Sequence, residues 1–214
     1  MRDIYHDELD AIGSLVICMA KSVAVAMERA TAALLDANLQ LAEQVLGGDA
    51  SVDALRNEIE ERCFQIIATQ SPVATDLRVV ISTIHLAADL ERMGDLAHHV
   101  AKIARLRFPE HAVPGEVRAV FEQMGEVAHS LITKVIEVVD GRDVELAQAI
   151  EVEDDSMDAL RRKLFTIVLS DRWAHGTEAA IDVTLLGRYY ERYADHAVAV
   201  ARHTTFIVTG ERAA

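Results

Sequence analysis

Two short stretches of this chain, 100 residues apart, carry the same acidic pattern. LERMGD contains Glu91 and Asp95, and YERYAD contains Glu191 and Asp195. In each stretch the carboxylates are four residues apart, so a helix would place them one turn apart on one face. Clustered carboxylate oxygens suit iron, manganese, magnesium or calcium better than copper.

Each stretch has an earlier partner with the same spacing. Asp49 and Asp53 precede the first stretch, and Asp154 and Asp158 precede the second. If two helices that carry such pairs pack at the usual axial distance of roughly 8–10 Å, four carboxylates meet across the contact. The sequence therefore predicts two surface cation sites, one formed by Asp49, Asp53, Glu91 and Asp95 and the other by Asp154, Asp158, Glu191 and Asp195.

These acids are not expected in the core. On a helical wheel the apolar residues of the third helix share one face, and Glu91 and Asp95 lie opposite. The sixth helix behaves in the same way, with Tyr190 and Tyr193 pointing inward. The alternative interpretation is an ordinary solvated helix face. A cation is favoured because the acidic pairs recur at equivalent positions. It is also favoured because like charges four residues apart destabilise a helix by about a few tenths of a kcal/mol, which a bound cation would offset.

Two histidines are accessory metal candidates for the first site. His98 and His99 follow Asp95 by about one helical turn, which is within reach of the same cation. Their counterparts in the second stretch are Val198 and Ala199, so the second site would lack them.

Helical periodicity dominates the sequence, and strand-like alternation is not sustained. Breakers lie near 36–38, 70–72, 109–114, 140–142 and 170–177. They leave six predicted helices at 3–36, 38–69, 73–107, 115–140, 143–170 and 178–209. The predicted fold class is all-α, since helices of this length are typical of bundles.

The six helices divide into two similar halves. VDALR at 52–56 matches MDALR at 157–161, an offset of 105. The acidic stretches are offset by 100, which predicts a shorter loop between the last two helices of the second half. We predict two tandem pseudo-symmetric three-helix bundles, over residues 1–109 and 114–214. Gly47 and Gly48 lie inside the second helix. Because each glycine destabilises a helix by about 1 kcal/mol relative to alanine, we predict a kink or fraying there.

The composition limits the functions open to this chain. The net charge is −14 with a pI near 5.0, which opposes nucleic-acid or anionic-lipid binding and favours basic protein partners or cations. The N-terminus is acidic, and no apolar run is expected to reach the roughly 18 residues that span a bilayer. We therefore expect a cytoplasmic protein without membrane insertion. Cys18 and Cys63 lie in apolar helical patterns and are expected to be buried thiols.

The longest distinctive segments resemble those of a known family. QSPVATDLR at 70–78, followed by LERMGD, is similar to the signature of the PhoU family of phosphate-specific transport accessory proteins. ERYADHA at 191–197 is similar to its second-repeat motif. The resemblance extends over nearly the whole chain, including the two-copy layout. The motif positions here are Gln70, Pro72, Asp76, Arg78, Arg92 and Arg192, of which Arg92 and Arg192 are expected to pair with carboxylates.

The resemblance implies a function and partners. PhoU-like proteins are cytoplasmic, non-enzymatic negative regulators of phosphate-starvation genes when phosphate is plentiful. They are thought to connect the ATPase of the phosphate ABC transporter to a membrane sensor histidine kinase, and they are often homodimers. On this basis we expect a regulator of phosphate uptake and phosphate homeostasis that acts in signal transduction through protein contacts.

The resemblance also implies metal binding. Some members hold metal, often iron or zinc, on Glu/Asp-x-x-x-Asp motifs, which here are the eight carboxylates given above; manganese and magnesium are further candidates. The second motif departs from the family pattern. Tyr193 and Ala194 replace an Ile-Gly pair, and Ala199 stands where Asn is usual. These departures count against the second site.

Other interpretations remain open. A ferritin-like di-iron store or oxidase needs Glu-x-x-His on two helices and inward-facing acids. This chain has one such motif, Glu126 with His129, and its repeated acids are expected to face outward. A purely structural interaction protein would differ only in lacking metal. A hydrolase is not expected, because the sequence shows no nucleophile–base pair and no phosphate-cradling glycine loop.

Overall fold

The computed structural model describes residues 2–211, with side chains from residue 7 onward, and these residues form six α-helices. The helices are α1 (Arg2–Asp36), α2 (Leu39–Gln70), α3 (Ala74–Arg107), α4 (Gly115–Gly141), α5 (Val144–Val168) and α6 (Gly176–Thr209). Every predicted helix end lies within two residues of the observed end. The all-α prediction is confirmed.

The helices form two tandem bundles, as predicted. Helices α1, α2 and α3 pack on one another, and so do α4, α5 and α6. The bundles join through α3 against α6 and α1 against α4. Helices α3 and α6 run antiparallel, because Asp89 contacts His196 whereas Arg107 contacts Asp182. Buried residues of both bundles form one continuous core, so the boundaries at 109 and 114 remain a prediction.

The turn before the second helix of each bundle is repeated in detail. Asn38 caps α2 by accepting a hydrogen bond from the Leu41 amide at 3.1 Å, and Asp143 caps α5 at the equivalent position. The preceding residues, Ala37 and Arg142, both have left-handed backbone conformations. The offset of 105 therefore relates α1 and α2 to α4 and α5 along their lengths.

The loop that follows differs, and the prediction of a shorter loop in the second bundle is wrong. It spans residues 71–73 in the first bundle and 169–175 in the second. The change in offset arises because α5 ends 10 residues beyond Asp158, whereas α2 continues 17 residues beyond Asp53. Helix α2 also runs without interruption through Gly47 and Gly48, so the predicted fraying is absent.

In the described part of the chain, one helix is long and apolar enough to cross a membrane by length and composition, Asp7–Asp36 within α1. The expectation that no apolar run reaches this length is therefore wrong. A helix buried in a bundle core passes the same test. Helix α1 packs against α2, α3 and α4, and its Met19, Val23 and Met27 are at most 2% exposed. This position accounts for the apolar residues on the covered side of the helix.

The two cysteines lie in different environments. Cys63 is buried as expected, and burial raises the pKa of its thiol to about 11. Cys18 is exposed on α1, so the expectation of a buried thiol is wrong there. The apolar residues of α1 surround much of the helix, and a wheel alone does not show which of them another helix covers.

The inward faces of α3 and α6 agree with the helical wheels. Residues 81–90 and 181–190 alternate between buried and exposed in the same order. The residues predicted to point inward are all buried: Leu86, Leu90, Met93, Ala97, Val100 and Ala104 in α3, and Leu186, Tyr190, Tyr193, Ala197 and Val200 in α6.

Removing the Tyr193 hydroxyl is expected to stabilise the protein. Tyr190 and Tyr193 are both fully buried, but only the Tyr190 hydroxyl is paired, at 2.7 Å from the Thr31 hydroxyl. The Tyr193 hydroxyl has no hydrogen-bond partner among the described residues. We expect Tyr193→Phe to raise the free energy of unfolding by about 1 kcal/mol and Tyr190→Phe to lower it by about 1 kcal/mol. Urea denaturation followed by circular dichroism measures both, and changes of the same sign would contradict this assignment.

Candidate functional site

The first acidic cluster, Asp49, Asp53, Glu91 and Asp95, lies along the contact between α2 and α3. Burial raises the pKa of Asp49, and the negative charges of Asp53 and Asp95 add to this. Burial likewise raises the pKa of Glu91, with further contributions from Asp95 and Asp53. Such mutual effects require proximity, so the structure brings the four predicted carboxylates together.

The second acidic cluster, Asp154, Asp158, Glu191 and Asp195, lies along the contact between α5 and α6. The pKa of Asp154 is raised to about 6, first by burial and then by Asp195, Asp158 and other neighbouring carboxylates. The two clusters therefore occupy equivalent places in the two bundles.

The prediction that all these acids face solvent is wrong for the glutamates. Glu191 is only 8% exposed, and the side chain of Glu91 is 15% exposed. The reason is an arginine on the neighbouring helix in each bundle. Arg56 lies 3.4 Å from Glu91, and Arg161 lies 3.4 Å from Glu191, measured between Nη1 and Oε1.

Sequence reasoning missed these arginines, although a signal for them was present. Each closes a DALR repeat and stands three residues after the second aspartate of its cluster. Arg188 adds a second cation to Glu191 from the preceding turn of α6. The glutamates therefore have arginine partners on neighbouring turns or helices, although burial still raises the pKa of Glu91 as it does those of Asp49 and Asp154.

The flanking arginines behave differently from each other. Arg92 donates to Asp95 at 2.8 Å, as predicted. Arg192 was expected to pair with a carboxylate, but its contact is the His196 ring, at 3.5 Å from Nη2 to Nε2. The difference arises because Asp195 is exposed on α6 and His196 turns toward α3.

The two accessory histidines make different contacts. Nδ1 of His98 lies 3.2 Å from Oδ2 of Asp49, yet this buried nitrogen forms no hydrogen bond among the described residues. The His99 ring stacks on Tyr189 of α6, with centroids 5.1 Å apart. His98 therefore lies at the first acidic cluster, whereas His99 mainly contacts the other bundle.

The donor set of the first acidic cluster fits a hard or borderline cation. It offers carboxylate oxygens that repel one another and a buried imidazole nitrogen without a hydrogen bond. In the described part of the chain, no group of three or more His, Cys, Asp or Glu side chains is already arranged to hold a metal ion. A bound cation would require these side chains to turn. Metal binding at the eight carboxylates remains a prediction.

Removing the charge of Asp154 is expected to stabilise the metal-free protein at pH 7 but not at pH 4. Its pKa of about 6 lies above the ordinary value of 3.8, so the folded state binds this proton more tightly than the unfolded chain. Stability from this group is complete below pH 4 and is lost as the pH rises through 6. We expect Asp154→Asn to gain about 1 kcal/mol at pH 7, with solvent screening included.

Urea denaturation in EDTA at both pH values measures this difference. The control is Asp140→Asn, an exposed position on α4, which should change stability by less than about 0.5 kcal/mol at either pH. An equal gain from Asp154→Asn at pH 4 and pH 7 would show that ionisation is not the cause.

The QSPVATDLR motif forms the joint between α2 and α3. Gln70 ends α2, Pro72 lies in the loop, and Asp76 lies in the first turn of α3. Arg78 donates from Nε and Nη2 to the Ile207 carbonyl at 3.2 and 3.1 Å, near the C-terminal end of α6. A cation is favourable there because the helix dipole is negative at that end.

The end of α6 is shaped around Arg78. Gly210 terminates the helix with φ of 77°, and a Cβ at this position would lie 2.5 Å from Arg78 Nη1. The left-handed backbone favours glycine here, and a Cβ would also require the Arg78 guanidinium to shift. Through Arg78 the motif joins the first bundle to the second.

A histidine–aspartate group between the bundles was not found from the sequence. Asp89 of α3 lies 2.9 Å from His196 and 3.2 Å from His203, both on α6. Burial alone would raise the pKa of Asp89, but hydrogen bonds from the two histidines outweigh it and lower the pKa. Only the antiparallel packing of α3 on α6 brings these residues together.

The geometry does not support a ferritin-like di-iron site. Glu126 and His129 are exposed on α4, where they line a surface groove with α1. An inward-facing Glu-x-x-His ligand pair is therefore not formed at this position.

Comparison with known proteins agrees with the two-copy layout. A family model described as PhoU domain matches residues 16–104 and 121–204, once in each bundle. The chain is 50% identical over 210 residues to phosphate-specific transport system accessory protein PhoU homolog 2 of Mycobacterium tuberculosis, covering 98% of this chain and 99% of the relative. It is 48% identical to homolog 1 of Mycobacterium leprae, covering 98% and 95% of the two chains.

The fold is shared with a solved structure. The crystal structure of PhoU from Pseudomonas aeruginosa superposes with a TM-score of 0.88 at 27% identity, covering 97% of this chain and 100% of that one. The similarity in sequence and in structure therefore extends across both bundles.

Proposed function

The chain belongs to the PhoU family, and we propose that it is an accessory regulator of phosphate transport. The observation that carries this proposal is similarity over nearly the whole chain, at 50% identity, to a relative named as a phosphate-specific transport system accessory protein. We infer that the chain acts as a negative regulator, keeping phosphate-starvation genes silent when phosphate is abundant. Its role is binding rather than catalysis.

The proposed mechanism is protein contact along the surface that carries the acidic clusters. The chain has a net charge of −14, and each cluster has one exposed member, Asp53 on α2 and Asp195 on α6. Such a surface complements a basic patch, and binding should weaken as salt rises. The proposed partners are the ATPase of the phosphate ABC transporter and a sensor histidine kinase, with the chain acting in the cytoplasm as a homodimer.

Metal is proposed to complete this surface. Burial, followed by repulsion between carboxylates, raises the pKa of Asp49 and of Asp154, and cations at the two clusters would offset both effects. Iron, zinc, manganese and magnesium are the candidates. The first acidic cluster has the better donor set, since His98 stands beside Asp49. Here metal shapes a binding surface and no reaction is assigned to it.

A phosphate-starvation reporter in cells lacking the gene tests the regulatory role. Mycobacterium tuberculosis has relatives named homolog 1 and homolog 2, at 40% and 50% identity to this chain, so a second family member is deleted as well. We expect high alkaline phosphatase in abundant phosphate, restored to low by the wild-type gene. A reporter that stays low in the deletion strain would overturn the negative-regulator proposal.

A further inference from the structure

Helices α1 and α2 enclose an open groove beside the first acidic cluster. Its volume is about 360 Å³, within the range of sites that hold small molecules. Val25, Val45 and Val52 give it apolar walls, and Lys21 and Arg29 of α1 contribute positive charges. The groove is therefore an apolar slot with cations along one side.

These two cations have no partner among the residues that the structure describes. Neither Lys21 nor Arg29 makes an ion pair or a hydrogen bond with any described side chain, although acids outnumber bases by 35 to 21 in this chain. They are eight residues apart, or about 12 Å along the helix, which matches the length of a small organic molecule. Unpaired positive charge facing an apolar slot is complementary to an anion with an apolar body.

The second bundle pairs the cation that corresponds to Arg29. At the offset of 105, Lys134 of α4 corresponds to Arg29, and Glu153 of α5 corresponds to Gly48. In the second bundle Lys134 forms an ion pair with Glu153 across the two helices. In the first bundle Gly48 has no side chain to offer, so Arg29 is left facing the open groove.

We propose that the groove between α1 and α2 binds a small organic anion, an apolar body carrying one phosphate or carboxylate group. The anionic group pairs with Arg29, and the apolar body lies against the three valines along the groove toward Lys21. Asp49 on the groove wall disfavours a second negative group at that end. This site adjoins the first acidic cluster through Asp49 and does not rest on the regulatory role proposed above.

Cys18 provides a direct reporter of occupancy. It is exposed and lines the groove, whereas Cys63 is buried. With 2-naphthyl phosphate as the probe, we expect alkylation of Cys18 by iodoacetamide to slow about tenfold when the probe is at ten times its Kd. Mass spectrometry of the intact protein measures the rate, and inorganic phosphate and 2-naphthol are the matched half-probes.

Two glycine variants separate the groove from general charge effects. Gly48→Glu places a carboxylate where the second bundle has the ion-paired Glu153, and Gly47→Glu adds the same charge one residue away, outside the groove lining. Neither added Cβ meets any atom within 4 Å, and glutamate favours the helix more than glycine does, so both variants should fold. We expect Gly48→Glu to lose protection of Cys18 by the probe and Gly47→Glu to keep it.

Three results would overturn the proposal. The first is a Cys18 alkylation rate that the probe leaves unchanged in the wild-type protein. The second is equal protection in Gly48→Glu and wild type, which would place the probe elsewhere. The third is equal protection by inorganic phosphate or by 2-naphthol, since the proposed ligand needs both its charge and its apolar body.

Discussion

Replacing Tyr190 by alanine is expected to lower the free energy of unfolding by about 4 kcal/mol. Tyr190 is 0% exposed and lies where the two bundles meet. Its hydroxyl is bonded to Thr31 of α1, and its ring packs against Phe121 of α4 with centroids 6.0 Å apart. Truncation would leave a cavity bordered by three helices from both bundles, which cannot collapse without separating them.

Urea denaturation followed by circular dichroism and by the fluorescence of Trp173, the single tryptophan, measures this loss. Tyr189→Ala is the matched control, because Tyr189 is the preceding residue of α6 and is only partly buried. We expect the control to lose less than half as much. Similar losses for both variants, or a loss below about 2 kcal/mol for Tyr190→Ala, would contradict the packing described here.

Neutralising the first acidic cluster is expected to change stability in opposite directions with and without metal. In EDTA, Asp49→Asn with Asp53→Asn should be more stable than wild type, because burial and mutual repulsion raise the pKa of Asp49. With manganese at 100 times its Kd, the wild-type protein should gain about 2.7 kcal/mol and the double variant little. We therefore expect the double variant to be the more stable protein in EDTA and the wild type to be the more stable protein in manganese.

The control changes the same number of charges on the same helix. Glu43→Gln with Glu61→Gln removes two exposed acids of α2 outside the cluster. Manganese should raise the free energy of unfolding of this control variant by as much as that of the wild type. Equal stabilisation of Asp49→Asn/Asp53→Asn by manganese would show that the first acidic cluster is not the metal site.

The helices and the repeat could be predicted because their signals are local. Breakers mark each helix end, and the apolar faces of α3 and α6 follow helical periodicity directly. The repeated DALR and acidic stretches also gave the equivalence of the two bundles. These features depend on the order of residues within one helix and need no knowledge of its neighbours.

Burial of the glutamates could not be predicted in that way. A helical wheel for α6 shows Glu191 opposite the core, but it does not show that α5 covers this side and supplies Arg161. The same limit explains α1, whose Cys18 is exposed although its neighbours are apolar. Which sides of a helix are covered depends on how many helices pack against it.

Contacts between the bundles could not be predicted from the sequence either. Asp89 and His196 are 107 residues apart, and no periodicity indicates that α3 pairs with α6 rather than with α4 or α5. Arg78 is a motif residue whose carbonyl partner, Ile207, lies 129 residues away. The sequence of the motif was enough to identify the family. The contact that Arg78 makes becomes visible only when the two bundles are packed together.

The most direct test of the regulatory role is rescue of the phosphate-starvation reporter by variants of this chain. In cells without the gene and without a second family member, we expect the wild-type gene to restore low alkaline phosphatase in abundant phosphate. Glu91→Gln with Asp95→Asn should leave it high, and the control Glu43→Gln with Glu61→Gln should restore it. Full rescue by Glu91→Gln/Asp95→Asn at the same protein level would contradict a role for the first acidic cluster in regulation.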